Sequence, residues 1–286
     1  MRTILAFLLA GAALAGVSYH DLVERWRQER EAGLKADDGW LTLAGLFWLH
    51  PGGNTIGSAE GSAIRLPRGP ARAGTIDYNN GRAIIRFDSG VNGTINGKRS
   101  GQAVLHSDAA EGKPDVVQLE DLTFFIIHRG TRDAIRLKDK RSEYRKAFTG
   151  LHWYPIRSEY RIEAKWVPYD SPHKLAVPNI LGETAQEPSP GYAEFTLAGE
   201  HYRLYPVIEG SQLFFIFKDQ TAGKETYPAG RFLHSEMPKN GQVLLDFNEA
   251  YNPPCAFTPF ATCPLPPRPN RLSARIEAGE LNYGHH

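Results

Sequence analysis

The chain has 286 residues, of which 41% are hydrophobic and 23% are charged, and its net charge at pH 7 is +1. This composition is typical of one large or two ordinary globular domains and excludes a largely disordered chain. The balanced charge lacks the basic field on which nucleic-acid binding depends, so we expect no nucleic-acid partner.

The first segment, residues 1–15, has the pattern of a secretory signal peptide. Arg2 precedes an apolar run that is short for a membrane span, and Ala13-Leu14-Ala15 offers a small-residue cleavage site. We therefore predict a periplasmic or secreted protein whose mature chain begins near Gly16. The alternative is an uncleaved signal, which would be the protein's one attachment to a membrane.

The next segment, residues 18–36, is predicted to be a helix. Leu22, Val23 and Trp26 recur at helical spacing among Glu, Arg and Gln residues, which favour helices. Gly33 and the Asp-Asp-Gly that follows end the pattern. We expect this helix to pack on the body of the protein through Trp26.

Residues 40–140 are predicted to form a β-sandwich. Short strand-like pieces follow one another at close intervals, in a chain that holds 28 Gly and 20 Pro. Asn79-Asn80-Gly81 and Asn96-Gly97 are typical of tight hairpin turns, because Asn and Gly tolerate positive φ angles.

Part of this sandwich, residues 54–139, resembles a forkhead-associated domain, which usually binds phosphothreonine. The resemblance lies in the stretches "NTIGS", "GTINGKR" and "DLTFFIIHRG". Where such domains carry Gly-Arg this chain has Gly57-Ser58, and where they carry Ser-Arg-x-His it has Ala73-Gly74-Thr75-Ile76. A phosphate would lack its charge-assisted partners. The resemblance therefore implies the fold, and we expect no phosphopeptide partner.

A second β domain is predicted over residues 147–284, after a charged boundary segment. Tyr160, Ile162 and Ala164 alternate with charged residues, which is the period of a strand with one wet face. Several more strand-like pieces follow and few segments favour a helix. The predicted fold is thus all-β: a forkhead-associated-like sandwich followed by an antiparallel β-barrel or half-barrel, with one N-terminal helix.

Motifs of the last third resemble a known family of bacterial and archaeal proteins. They include Gly223-Lys-Glu-Thr-Tyr227, Asp246-Phe-Asn248, Tyr251-Asn-Pro-Pro-Cys255 and Cys263-Pro-Leu-Pro-Pro267. The family is called domain of unknown function 1684, and the resemblance extends over nearly everything after the signal peptide. The resemblance does not indicate which activity or cofactor the protein has, and both stay open.

The two cysteines, Cys255 and Cys263, allow three interpretations. An oxidising compartment favours a disulfide between them, with the modest stabilisation of a short loop. The alternatives are two inert thiols or a reactive thiol. A metal site is not expected, because two sulfurs without a nearby His at the right spacing make a poor zinc site.

Polar side chains of the last third are predicted to gather at one mouth of the barrel and to bind a small polar or anionic ligand. Arg231 offers a planar fork to a carboxylate, and Asp246 and Asn248 share one strand face. The alternative is a buried network in which Arg231 and Asp246 satisfy one another. The predicted ligand residues are Lys224, Tyr227, Arg231, Asp246, Asn248, Tyr251, Asn252, Asn270 and Glu280.

An enzymatic function is left open by the sequence. It has no Gly-x-Ser-x-Gly elbow, no His-Glu-x-x-His and no phosphate-binding loop. The alternative to ligand binding is a hydrolase or lyase that uses Asp246 or Glu280 as acid or base and Arg231 to hold an anion.

Overall fold

The structure, a computed structural model, describes residues 17–284, so the predicted signal peptide lies outside it. The predicted N-terminal helix is present as α1, Tyr19–Lys35. It begins with a capping box, in which the Ser18 hydroxyl accepts from the Asp21 N–H and the Asp21 carboxylate accepts from the Ser18 N–H. Trp26 packs on the body as expected, with its ring 5.7 Å from that of Trp153. No described helix is long and apolar enough to cross a membrane.

The first β unit is a sandwich of two sheets. One sheet has the strand order β1-β11-β10-β9-β6-β7 and the other β3-β2-β4-β5-β8. The strands are β1 (Leu43–Trp48), β2 (Gly52–Gly57), β3 (Ile64–Arg65), β4 (Gly74–Asn79), β5 (Arg82–Phe87), β6 (Thr94–Ile95), β7 (Lys98–Arg99), β8 (Gln102–Leu105), β9 (Val117–Leu119), β10 (Leu122–Arg129) and β11 (Arg132–Asp139).

The sandwich core lies between the two sheets, where Ile76 and Ile85 face Phe124 and Ile135. Both predicted hairpins are confirmed. Asn80-Gly81 connects β4 to β5, Asn96-Gly97 connects β6 to β7, and all four residues have positive φ. That geometry matches the twist of antiparallel strands, and Asn-Gly adopts it readily.

The second β unit follows the short helix α2 (Glu143–Lys146). Its two antiparallel sheets have the orders β14-β13-β12-β18 and β15-β16-β17. The strands are β12 (Arg161–Pro178), β13 (Thr184–Leu197), β14 (Glu200–Leu204), β15 (Val207–Glu209), β16 (Gln212–Phe217), β17 (Arg231–Glu236) and β18 (Gln242–Asp246).

These two sheets wrap around one aromatic core without closing. Phe215, Phe217 and Phe247 are fully buried in it. Strand β17 lies beside β18, and β13 beside β15, but neither pair is joined in a ladder. Of the two predicted alternatives, the half-barrel is therefore confirmed and the closed barrel is wrong.

The proline-rich segment after β18 joins the two β units. Within this segment, the backbone of Tyr251 pairs with that of Phe232, and the backbone of Pro264 pairs with that of Asn179. Cys263 is buried in one apolar cluster with Leu43 of the sandwich and residues of the half-barrel. Pro residues fix the segment's path because they restrict φ.

Candidate functional site

The structure places most of the predicted ligand residues in buried networks with protein partners. Arg231, Asp246 and Glu280 lie in separate buried networks, each satisfied by its own protein partners. Of the predicted set, Tyr251 alone lines the cleft between α1 and the two β units that is described below. Protein partners occupy the polar atoms of Arg231, Asp246 and Glu280 that a ligand would use.

Arg231 belongs to a fully buried ion pair with Asp219. Its guanidinium donates to the Asp219 carboxylate at 3.3 Å, to the Ile276 carbonyl at 3.0 Å and to the Ala278 carbonyl. Asp219 also accepts from the Ile276 N–H at 2.7 Å. Burial lowers the pKa of Arg231, and the Asp219 charge opposes that shift. The predicted structural network exists, but Asp219 and not Asp246 is the partner of Arg231.

Asp246 and Asn248 attach the start of α1 to the half-barrel. The Tyr19 hydroxyl lies 2.9 Å from both Asp246 carboxylate oxygens, and the Asn248 amide donates to the Tyr19 oxygen at 2.8 Å. Asn248 also donates to the Arg157 carbonyl at 2.9 Å. Burial and the Asp246 carboxylate raise the pKa of Tyr19. Strand β18 ends at Asp246 and Asn248 lies in the 3-10 turn Phe247–Glu249, so the two residues do not share the predicted strand face. They share one hydrogen-bonded cluster, to which Tyr19 of α1 contributes.

Glu280 and Asn252 form the third network. Glu280 is 0% exposed and accepts from the Asn252 side-chain amide at 2.8 Å and from its backbone N–H at 3.2 Å. Gly279 makes this approach feasible: its φ is +82°, and a Cβ there would lie 2.4 Å from the Ala250 carbonyl oxygen. Burial raises the pKa of Glu280 to about 7, while Arg30, 3.6 Å away, opposes the shift.

Glu280→Gln is expected to gain stability relative to the wild type as the pH rises. The folded pKa of about 7 exceeds the ordinary value of 4.5, so the folded protein keeps a proton that the unfolded chain releases. The protonated Glu280 carboxyl therefore contributes its full stabilisation to the wild type below the ordinary pKa of 4.5. That contribution is lost as the pH rises through the folded pKa of about 7. Urea titrations should show a relative gain of about 2–3 kcal/mol in the free energy of unfolding between acid and mildly alkaline pH.

The partly exposed Glu277 provides the matched control for that experiment. Its pKa is lowered by the hydrogen bond from Arg275, so Glu277→Gln should show no such gain at high pH. An equal stability difference for Glu280→Gln at both pH values would contradict the raised pKa of Glu280.

The remaining predicted ligand residues, Asn270, Tyr227 and Lys224, lie outside the three networks described above. Asn270 is fully buried. Its side-chain oxygen accepts from the Tyr205 N–H, and its side-chain nitrogen donates to the carbonyls of Tyr205 and Ile216. Tyr227 packs in an apolar cluster, and burial raises its pKa to about 12. Lys224 is exposed and away from the cleft.

Cys255 and Cys263 lie side by side as thiols, so the predicted disulfide is not seen. The backbone N–H of each donates to the sulfur of the other, at 3.2 and 3.4 Å. The hydrogen bond between them lowers the pKa of the Cys255 thiol and raises that of the Cys263 thiol. Within residues 17–284, no group of three or more His, Cys, Asp or Glu side chains is placed to hold a metal ion.

A cleft of about 560 Å³ lies where α1, the sandwich and the half-barrel meet, and we call it the arginine cleft. Three arginines and several aromatic rings line it, together with part of the proline-rich segment. Its lining residues are Trp26, Glu29, Arg30, Trp40, Arg129, Arg136, Glu209, Phe214, Phe232, His234, Tyr251, Pro254, Thr262, Cys263 and Pro264.

Arg136 is the unusual residue of the arginine cleft. It is only 5% exposed, its Nε has no hydrogen-bond partner, and it forms no ion pair with any residue that the structure describes. Its one hydrogen bond goes to the Thr262 hydroxyl at 2.9 Å. Burial, and after it the charge of Arg129, lowers the pKa of Arg136 to about 10, so the guanidinium remains charged at neutral pH. A buried charge of this kind is normally paired.

Arg129 and Thr262 complete the polar end of the cleft. Arg129 donates to the same Thr262 hydroxyl at 3.2 Å, and Asp108 neutralises it at 2.8 Å. Because the Thr262 oxygen accepts from both arginines, its own O–H is directed elsewhere and is free to donate. The uncompensated charge at this end of the cleft is that of Arg136.

The aromatic end of the cleft holds a chain of hydrogen bonds. The Tyr251 hydroxyl lies 3.1 Å from His234 Nδ1, and His234 Nε2 lies 2.6 Å from the Glu209 carboxylate. The His234 ring stacks on Phe214, with centroids 4.7 Å apart. The Arg30 guanidinium lies 4.5 Å above the Tyr251 ring.

Comparison with known proteins assigns the second β unit. Residues 146–281 match the model of the family described as "Protein of unknown function (DUF1684)". An uncharacterised protein of Haloarcula marismortui, solved by NMR, is 30% identical over 50% of this chain and 81% of its own, with a TM-score of 0.41. The chain belongs to the DUF1684 family. The family resemblance predicted from the sequence is confirmed over residues 146–281, and its extension to the residues before them stays a prediction. No curated protein matches the chain.

The sandwich of this DUF1684 protein is similar to FHA domains of known structure. One is the FhaA FHA domain, solved in complex with the intracellular domain of Rv3910: it is 21% identical over 32% of this chain and 97% of its own, with a TM-score of 0.23. Another structure comes from a study of phosphothreonine-dependent FHA domain interactions. It is 21% identical over 32% of this chain and 92% of its own, with a TM-score of 0.23.

The arginine cleft uses residues from inside and outside the DUF1684 match. Tyr251, His234 and Thr262 lie within residues 146–281, whereas Arg30 and Arg136 precede them. Sequence reasoning missed Arg136, although the alternation of Ile135, Arg136 and Leu137 indicates a strand with Arg136 on the outer face. That signal predicts a wet face, and only the tertiary packing reveals that the face is covered.

Proposed function

We propose that this DUF1684 protein binds a small anionic ligand with an apolar portion in the arginine cleft. The sequence predicted a ligand of this kind in the half-barrel. The proposal moves the site to the junction of both β units and α1, because the polar residues first predicted are engaged with protein partners.

The observation that carries the proposal is the unpaired charge of Arg136. Taking a guanidinium out of water is unfavourable, and a protein normally offsets it with a carboxylate or with hydrogen bonds to most of its N–H groups. Here the Thr262 hydroxyl accepts the one hydrogen bond that Arg136 donates, and the Trp40 ring centroid lies 5.5 Å from the guanidinium carbon, but no carboxylate pairs with it among the residues that the structure describes. An anion at this point would pair with Arg136 and accept from Thr262, and charge-assisted bonds of this type are short and strong.

The remainder of the cleft supports a ligand that is partly apolar. Its volume of about 560 Å³ falls within the usual range of ligand sites. Trp26, Trp40 and Phe214 present aromatic surface, and Trp40 is 37% exposed. An aromatic or aliphatic group attached to the anion would cover this surface and gain hydrophobic stabilisation.

A hydrolase or lyase that uses Asp246 or Glu280 with Arg231 finds no support in the positions of these residues. Arg231 is 1% exposed and Glu280 is 0% exposed, and each is satisfied within its own network. Neither lines the arginine cleft.

Thermal unfolding in the presence of matched ligand pairs tests the proposal. Benzoate, octanoate and phenyl phosphate are compared with benzamide, octanol and inorganic phosphate. At saturation the apolar anions should raise Tm by roughly 5–10 °C, since binding at 100 times Kd contributes about 2.7 kcal/mol. The proposal fails if no apolar anion stabilises the protein more than its neutral or fully polar counterpart.

We also propose that the protein is exported and that Cys255 and Cys263 are oxidised after export. The support is the signal-peptide pattern of residues 1–15 and the adjacent sulfurs in the structure. Mass spectrometry of the protein recovered from the cell envelope should give an N-terminus near Gly16 and a mass lower by two hydrogens than that of the dithiol. An intact Met1 together with two alkylatable thiols would contradict both proposals.

A further inference from the structure

We propose that the arginine cleft is also a catalytic site, in which Tyr251 exchanges a proton with a carboxylate substrate that Arg136 holds, so that the substrate undergoes β-elimination. This inference rests on the proposed binding function, but a separate group of residues carries it. The substrate class is a carboxylate with a hydrogen on the α carbon and an oxygen leaving group on the β carbon.

The first step of the argument is the direction of the hydrogen bonds. With Glu209 at 2.6 Å, His234 Nε2 carries a proton that it donates to the carboxylate. His234 Nδ1 is then an acceptor, and the Tyr251 hydroxyl at 3.1 Å donates to it. A hydroxyl, an imidazole and a carboxylate connected in this order can pass a proton from the hydroxyl to the imidazole.

The rings around His234 fix this arrangement. The imidazole lies between Phe214 and Tyr251, at interplanar angles of 15° and 12°. Both of its nitrogens are occupied by protein partners, so His234 reaches a substrate only through the Tyr251 oxygen. Tyr251 is therefore the proton-exchanging group of the cleft, and His234 and Glu209 are positioning residues.

Arg30 favours the charged form of Tyr251 that such an exchange creates. Its guanidinium lies 4.5 Å above the Tyr251 ring and is anchored by the Asn252 carbonyl at 2.9 Å. Burial raises the pKa of Tyr251, so the hydroxyl rests protonated, and the Arg30 charge opposes this effect. The phenolate forms only when His234 accepts the proton.

Arg136 supplies the second requirement of the reaction. A hydrogen on the carbon next to a carboxylate is removed with difficulty, because the developing carbanion adds negative charge beside an existing one. Arg136 pairs with the substrate carboxylate, and the Thr262 hydroxyl, which the two arginines orient, donates to it. Together they stabilise the negative charge that develops on the carboxylate when the α proton is removed. This explains why one cleft contains both an unpaired arginine and an acid–base chain.

The proposed reaction balances without water or a cofactor. The Tyr251 proton moves to His234, and the phenolate oxygen takes the α proton of the substrate. The electron pair of the broken C–H bond forms the double bond between the α and β carbons, while the β C–O bond breaks and its electron pair leaves with the oxygen. The leaving oxygen receives the α proton from Tyr251, and His234 returns its proton to the Tyr251 oxygen. The products are an α,β-unsaturated carboxylate and an alcohol.

Uronate polysaccharides test the inference because the glycosidic oxygen on C4 of each uronate is bonded to the carbon β to its carboxylate. Polygalacturonate, alginate and hyaluronan are incubated with the full-length protein, and the ultraviolet absorbance of the conjugated double bond is recorded. We expect this product from at least one of them. Tyr251→Phe keeps the ring under Arg30 but removes the hydroxyl, and should lower the rate by about 10²–10⁴-fold.

Two controls separate catalysis from structure and from binding. Because Tyr251 and His234 act as one unit, the double variant Tyr251→Phe/His234→Gln should be no slower than the slower single variant. Tyr144→Phe, outside the cleft, should retain the full rate. The affinity of Tyr251→Phe for galacturonate should stay within about twofold of the wild type, because Arg136 still holds the carboxylate.

The outcomes distinguish the two proposals. Binding of galacturonate with no unsaturated product from any of the three polymers overturns the catalytic inference and leaves the binding function in place. A Tyr251→Phe variant as fast as the wild type also overturns the inference. If no apolar anion of the thermal panel stabilises the wild type more than its neutral or fully polar counterpart, the proposed function itself fails.

Discussion

Arg231→Met is expected to lower the free energy of unfolding by about 3–5 kcal/mol, because it leaves a carboxylate buried without its partner. Asp219 is 4% exposed and remains in place with its charge. The carbonyls of Ile276 and Ala278 lose their donor as well. Guanidinium titration of both proteins, with unchanged m values, gives this difference directly.

A double variant provides the control for this prediction. Arg231→Met/Asp219→Leu removes both charges, and it should be less destabilised than Arg231→Met, since an apolar pair is tolerated better than one uncompensated charge. Arg275→Met removes an exposed arginine that bridges Glu225 and Glu277, and it should change stability very little. An unchanged unfolding midpoint for Arg231→Met would show that the ion pair does not stabilise the fold.

Arg136→Met is expected to have the opposite pattern: little effect on folding and a large effect on binding. In the ligand-free protein the substitution removes an unpaired buried charge, so the free energy of unfolding should stay the same or rise. The affinity for benzoate should fall by roughly 10–100-fold, the equivalent of about 1.5–3 kcal/mol for hydrogen bonds to a charged group. Calorimetric titration and denaturant unfolding measure the two quantities.

Arg99→Met is the matched control, because it removes the same charge from an exposed strand of the sandwich. It should leave both benzoate affinity and stability near the wild-type values. If Arg136→Met destabilises the ligand-free protein as strongly as Arg231→Met does, then Arg136 is a structural residue and the binding proposal loses its main support.

The fold was largely predictable because its signals are local. Asn-Gly pairs placed the hairpins after β4 and β6, since these residues accept the positive φ that tight turns require. The alternation of Tyr160, Ile162 and Ala164 with charged residues indicated a strand with one wet face, and β12 begins at Arg161. What the sequence left open was closure, which depends on whether β17 and β18 form a ladder across the core.

The candidate site was less predictable because it depends on pairings between distant residues. Arg231 was expected to meet Asp246, but the chain brings it to Asp219, and Tyr19 from α1 takes Asp246. Arg136 sits on a strand face that looks solvated in the sequence, and residues more than a hundred positions later cover it. Local pattern gives the direction of a side chain, and only the packed structure gives its partner.

The most direct test of the account is a crystal structure of the protein with bound 4-bromobenzoate. We expect the carboxylate to lie within hydrogen-bond distance of the Arg136 guanidinium and the Thr262 hydroxyl, and the anomalous signal of bromine to mark the ring among Trp26, Trp40 and Phe214. Bromine found only outside the arginine cleft, with Arg136 still unpaired at saturating ligand, would contradict the assignment of this cleft as the anion site.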